Sequence, residues 1–180
     1  MLRVMDNGDL IEFDFEDLRK YHGSKSICGL TVSYTIMRAA FDALAPNQPV
    51  DRANLHITSA FPGPGARDGF ELVTRTTSRE TYAIDTSVEP SDTIAEAAKG
   101  AYYFKVANAV RSVELSLKPS IVPEKFVPLR RKQLSGVASD EELAEFRQLQ
   151  FAFSETLLTH PATAAVNILG TQDIDVEAVA

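Results

Sequence analysis

The strongest constraint on this chain is the run LTVSYTIMRAAFDAL at residues 30–44. Leu30, Tyr34, Met37, Phe41 and Leu44 recur every three or four positions, the repeat of a helix with one buried face. The segment APNQP stops it at once. Such a helix needs surfaces to pack on. One is a second helix at SDEELAEFRQLQFAFSETLL, residues 139–158, where Ser139 and Glu142 form a capping box. Leu143, Phe146, Leu149, Phe153 and Leu157 line its apolar face. The other is a set of strand-like stretches between the two: ANLHITSAF, ETYAIDTSV, and then AYYFKVANAV with RSVELSLK, which reads as a hairpin. Strands grouped apart from helices predict an α+β fold, a mixed or antiparallel sheet with helices packed on it.

Shorter elements fill the rest. NGDLIEF begins with a turn signal and then alternates as a short strand. DFEDLRKYHG reads as a two-turn helix capped by Asp14, with Asp17 three residues on, and ended near Gly23. PGPGARDG, with two prolines and three glycines, reads as a loop, and ARDGFELVTRT as a short helix. PEKFVPLRRKQLSG reads as a helix closing at Gly136, with Arg130, Arg131 and Lys132 on a solvated face. His160 stands at a helix end and is expected to cap its last carbonyls. The chain of 180 residues, 44% hydrophobic, suits one domain over 1–160. A C-terminal extension over 161–180 is expected to hold one short strand and an acidic, partly mobile tail.

Net charge is −7, a balance that repels phosphate backbones and argues against nucleic-acid binding. No apolar run reaches membrane-spanning length. The acidic start, MLRVMDNGDLIEFDFEDL, lacks the order of a signal peptide. A single cysteine forms no internal disulfide, so a cytoplasmic protein is expected.

Chemistry concentrates where His22, Gly23, Cys28 and Gly29 precede the first long helix. A Cys–His nucleophile pair is one reading: Cys28 at a helix N-terminus would have a lowered thiol pKa, and His22 would take its proton. No third orienting residue is evident. A second reading is an anion site. Free N–H groups at the N-termini of the long and short helices favour carboxylate or phosphate, with Lys25, Arg67 and Arg75 adding charge. The run GPGARDG also brushes the dinucleotide fingerprint, with Asp85 twenty residues beyond Gly65. Its spacing is wrong, it holds a proline, and the helix after it reads as too short for a crossover between parallel strands.

Three stretches resemble the FmdE-like proteins, a family named for one component of formylmethanofuran dehydrogenase. Tyr21-His22-Gly23 leading to Cys28-Gly29-Leu30 is similar to the family's His-Gly-His-x-Cys-Pro-Gly-Leu. Asp68-Gly69-Phe70-Glu71-Leu72-Val73-Thr74 is similar to its Asp-(Ala/Gly)-x-x-x-x-Thr segment. GVASDEELAEFRQLQFAFSETLL is similar to the helix that follows its core. The resemblance covers roughly residues 14–160 and implies a core ordered α-β-α-β-β-β with C-terminal helices. It also implies that the 22–29 and 61–69 loops converge on one pocket. The family is associated with zinc, but here Ser24 holds the second histidine position and Thr76 stands where the family has a cysteine. The metal reading keeps His22 and Cys28, with His56, Asp68 or Glu71 as candidate further ligands.

The resemblance implies a non-catalytic, small-ligand-binding module; the residues give an anion or a residual metal as its ligand, held by His22, Lys25, Cys28, Gly29, Arg67, Asp68 and Arg75. An enzyme using Cys28 and His22 or a bound metal is the alternative. A dimeric accessory component of a larger complex is the third reading, with the AYYFKVANAV hairpin offering an edge to a second copy. Strand alternation sets against it Tyr102 and Phe104 pointing inward and Tyr103 outward.

Overall fold

The computed structural model describes residues 1–23 and 25–174. β1 (Leu2–Asp6) and β2 (Asp9–Phe13) pair antiparallel across Asn7-Gly8. Both turn residues have positive φ, 52° and 95°, as a tight hairpin turn requires. The turn signal therefore joins two strands where the sequence shows one, because the partner LRVMD is too short to declare itself. Next come α1 (Phe15–His22) and α2 (Ile27–Leu44). β3 (Val50–Asp51) pairs parallel with β1 and completes a three-stranded sheet, β2-β1-β3.

The second sheet follows. β4 (His56–Ser59), α3 (Pro64–Thr74) and β5 (Tyr82–Ile84) form a crossover, since β4 and β5 pair in parallel. Eleven residues of helix thus suffice for the connection, contrary to the expectation from its length. Nor is PGPGARDG all loop: the helix begins at Pro64, whose fixed φ suits a first turn that needs no N–H. β6 (Tyr103–Ala107) and β7 (Arg111–Leu117) make the expected hairpin. Then come α4 (Phe126–Ser135), α5 (Asp140–Thr159), α6 (Ala162–Ala165) and β8 (Val166–Asp173). The order across the sheet is β5-β4-β6-β7-β8. The architecture is mixed α+β; the order from α2 is α2-β3-β4-α3-β5-β6-β7, which runs α-β-α-β-β-β once β3, a member of the first sheet, is set aside.

Two details of this sheet correct the sequence picture. The β6–β7 hairpin is interior, flanked by β4 and β8, so it offers no edge to a second copy; the edges are β5 and β8. Tyr102 and Phe104 do point into the core, 3% and 0% exposed. The C-terminal stretch supplies an eight-residue strand along the whole of β7. The acidic tail from residue 175 lies outside the described residues.

α2 occupies the centre. Of its eighteen residues only Asp42 is exposed, so it is buried all round and not on one face. The polar positions that suggest a solvent side carry their own partners. Thr31 donates to the Ile27 carbonyl at 2.8 Å and Ser33 to that of Leu30 at 2.8 Å. A hydroxyl bonded to its own helix can be buried without an unmet polar group. α3 crosses α2 closely. A Cβ on Gly65 would stand 2.5 Å from the Ser26 carbonyl oxygen, and one on Gly69 would stand 2.1 Å from Ser33 Oγ. Phe70 then reaches the sheet, 5.7 Å from Phe104 between ring centroids. Each such ring removed from water contributes roughly 2–3 kcal/mol.

Candidate functional site

The N-termini of α2 and α3 meet at a cavity of about 190 Å³. Lys25, Ser26, Cys28 and Gly29 form one wall, and residues 61–65 a second. Ala98, Lys99 and Tyr102 precede β6 on a third side. The fourth comes from α4 and α5. Phe126, Arg130 and Leu134 lie at every fourth position of α4, one helix face, and Phe146 and Gln150 repeat that spacing on α5. The first two walls are those expected to converge. The last two were not anticipated.

Neither helix that opens on the cavity has a side-chain cap. Ser26 and Gly63, the N-cap residues of α2 and α3, make no capping bond. The first helical bond of α2 is Leu30 N to Ser26 O at 3.2 Å, which leaves the N–H groups of residues 27–29 ahead of it. By contrast, α1 and α5 close with capping boxes, Asp14 with Asp17 and Ser139 with Glu142. Two helix ends therefore direct partial positive charge at one space.

Full charges add to this. Lys25, Lys99 and Arg130 line the cavity, and no Asp or Glu among the described residues does. None of the three enters an ion pair among the described residues, although most other cations of the chain do. Arg130 was expected on a solvated face with its neighbours. Only the neighbours are so placed: Arg131 pairs with Glu96 at 2.6 Å and Lys132 with Glu142. Arg130 is half-buried, its guanidinium 5.9 Å from the Phe146 ring centroid.

The remaining site residues divide. Lys25, Cys28 and Gly29 line the cavity; His22, Arg67, Asp68 and Arg75 do not. His22 Nδ1 lies 2.7 Å from Asp68 Oδ2 and ties the end of α1 to α3. Arg67 is exposed and reaches Asp68 at 3.5 Å. Arg75 sits beyond the far end of α3, about 15 Å along the axis from its start. There it takes the left-handed conformation that ends the helix and pairs with Glu71 at 3.9 Å. Gly29 and Gly65 serve the crossing of α2 and α3, since a Cβ on Gly29 would stand 3.0 Å from Ala66 N.

Cys28 reverses the expectation of a depressed pKa. Burial dominates and pushes the thiol from its ordinary 9.0 up to about 11, against a smaller opposing effect of the Ser154 hydroxyl. Its Sγ donates to the Gln150 carbonyl at 3.2 Å and lies 3.4 Å from Ser154 Oγ. The thiol at neutral pH is protonated, with its bonds directed to α5, while His22 is engaged with Asp68.

Zinc fits no better. Among the described residues no three His, Cys, Asp or Glu side chains come together to hold a metal ion. His56 is exposed on β4. Glu71 is committed to the turn after α3, accepting from Thr77 N at 2.8 Å, Ser78 N at 3.1 Å and the Ser78 hydroxyl. The cavity is also well below the ~300 Å³ at which pockets for larger ligands begin, which leaves no room for a dinucleotide. No helix among the described residues is long and apolar enough to cross a membrane.

No protein-family model matches the chain, and a search of curated proteins returns no match.

Proposed function

We propose that the chain is a non-catalytic module that binds a small anion between the 25–29 and 61–65 segments. The observation that carries this reading is the set of three cations, Lys25, Lys99 and Arg130, none with a carboxylate partner among the described residues, around a cavity that no described Asp or Glu lines; Arg130 donates only to the neutral Gln133 side chain. In a chain of net charge −7 with abundant carboxylates, cations that take none of them are available to a ligand. The uncapped ends of α2 and α3 favour the same sign of charge. The order α-β-α-β-β-β supports kinship with the FmdE-like proteins, in a form that has exchanged cation ligands for anion ligands. A reducing, cytoplasmic setting suits the one buried thiol. A second copy would add at the open edge of β8, where Ile168 and Leu169 are exposed.

A ligand of the native state raises the melting temperature. A thermal-shift survey of small carboxylates and phosphates is expected to find at least one that stabilises the wild type and loses that effect when Lys99 and Arg130 are both changed to Met. A survey in which no anion raises the melting temperature, or in which the double variant responds equally, would remove the reading.

A further inference from the structure

The cavity is graded in polarity from floor to mouth. Phe146, Tyr102 and Phe126 are 1%, 3% and 4% exposed and form the floor. The floor belongs to one aromatic cluster, joined beneath the cavity by Phe153. Phe61 and Tyr102 stand 4.7 Å apart between ring centroids, Tyr102 and Phe153 6.5 Å, Phe153 and Phe126 5.1 Å, and Phe126 and Phe146 5.2 Å. Lys25 and Lys99 are exposed at the mouth, and Arg130 is half-buried between, over the face of Phe146. The floor also depresses ionisation: burial raises the phenol pKa of Tyr102 above its ordinary value.

A bare inorganic anion suits this gradient poorly. At the mouth it would meet lysines in water, where an ion pair is worth little. On the floor it would lose its hydration to aromatic rings among which the Tyr102 hydroxyl is the one donor. A molecule with two ends suits it well. A flat apolar end stacks or edges against the rings, worth about 0.5–1.5 kcal/mol per aromatic pair beyond the area buried. The charged end then stays level with Arg130 and the lysines, within reach of a bidentate, charge-assisted pair. The volume of about 190 Å³ allows one ring and a short acid arm.

We infer that the cavity takes a one-ring aryl carboxylate, ring inward and carboxylate toward Arg130, Lys99 and Lys25. This rests on the anion-binding reading and names the class of ligand within it.

Titration calorimetry on the full chain tests the inference with five probes: phenylacetate, phenylacetamide, cyclohexylacetate, acetate and inorganic phosphate. Phenylacetate is expected to bind roughly tenfold tighter than acetate, phosphate or the neutral amide, a difference of about 1.4 kcal/mol each. Cyclohexylacetate is expected to fall between. Arg130→Met is expected to keep its fold by circular dichroism and to bind acid and amide alike. Acetate or phosphate binding as tightly as phenylacetate overturns the inference and leaves the anion reading standing. Equal binding of cyclohexylacetate overturns the aryl assignment. Amide and acid binding alike in the wild type overturns the anion reading itself, and no binding by any probe overturns both.

Discussion

The two ends of α3 solve the same problem in opposite ways. At its C-terminal end every strong group is committed. Glu71 holds the backbone of Thr77 and Ser78, Arg75 turns the chain and pairs with Glu71, and Thr74 and Thr76 share a hydroxyl contact at 2.9 Å. At its N-terminal end the cap is bare, the neighbouring end of α2 is bare, and three cations surround the space without a carboxylate among the described residues. Both ends are rich in the residue types that mark sites. Only one has valence left over. The difference teaches that charge or glycine content does not indicate a site; what indicates one is the absence of an internal counter-charge.

That contrast can be broken most strongly through pH. The folded chain holds the Cys28 proton more tightly than the unfolded chain does, because its pKa is raised to about 11 from 9.0. The associated stability, about 3 kcal/mol at one pKa unit per 1.36 kcal/mol, is whole below pH 9 and is lost as pH rises through 11. Denaturant unfolding across this range is expected to show the decline, smaller in Cys28→Ala, with Tyr102 contributing in the same direction. A decline that begins below pH 8 would mean an exposed thiolate at the open end. Next in size is the closed end. Glu71→Ala removes the acceptor for Thr77 and Ser78 and is expected to cost about 2 kcal/mol by chemical denaturation while leaving ligand binding intact. Smallest in stability is Lys99→Met with Arg130→Met, expected to change unfolding free energy by less than about 0.5 kcal/mol. A large loss in that double variant would show that the cations are structural and would erase the difference between the two ends.

Local rules are what the sequence makes legible. The capping boxes at Asp14 and Ser139 need three residues of context, and both form as read. So do the β6–β7 hairpin, the closure of α4 at Gly136 and the bond from His160 to the Thr156 carbonyl at 2.8 Å. Hidden features depend on distant partners. Thr31 and Ser33 look solvent-facing in the sequence and are fully buried in the fold, Ser33 against Gly69 of α3. β1 is recognisable only beside β2, and the short strand expected in the C-terminal stretch reaches its eight residues only by running along β7. Half of the site was legible, since the glycine-cysteine turn and the proline-rich bend do enclose the cavity. Phe126, Arg130 and Leu134 carry a visible four-residue spacing, but a guanidinium within it reads as a solvated face. Lys99 lies between elements, where no periodicity points anywhere.

β8 has a consequence for how the chain is made. This rim strand leaves the ribosome well after the strand it covers, and its Asp173 pairs with Arg111 at 2.7 Å, sixty-two residues back. Until it emerges, β7 stands as a bare strand edge on a growing polypeptide. Synthesis must therefore pass three further helices, α4, α5 and α6, before the sheet can close, and a polypeptide released after residue 160 would carry a sticky ribbon in place of a finished rim.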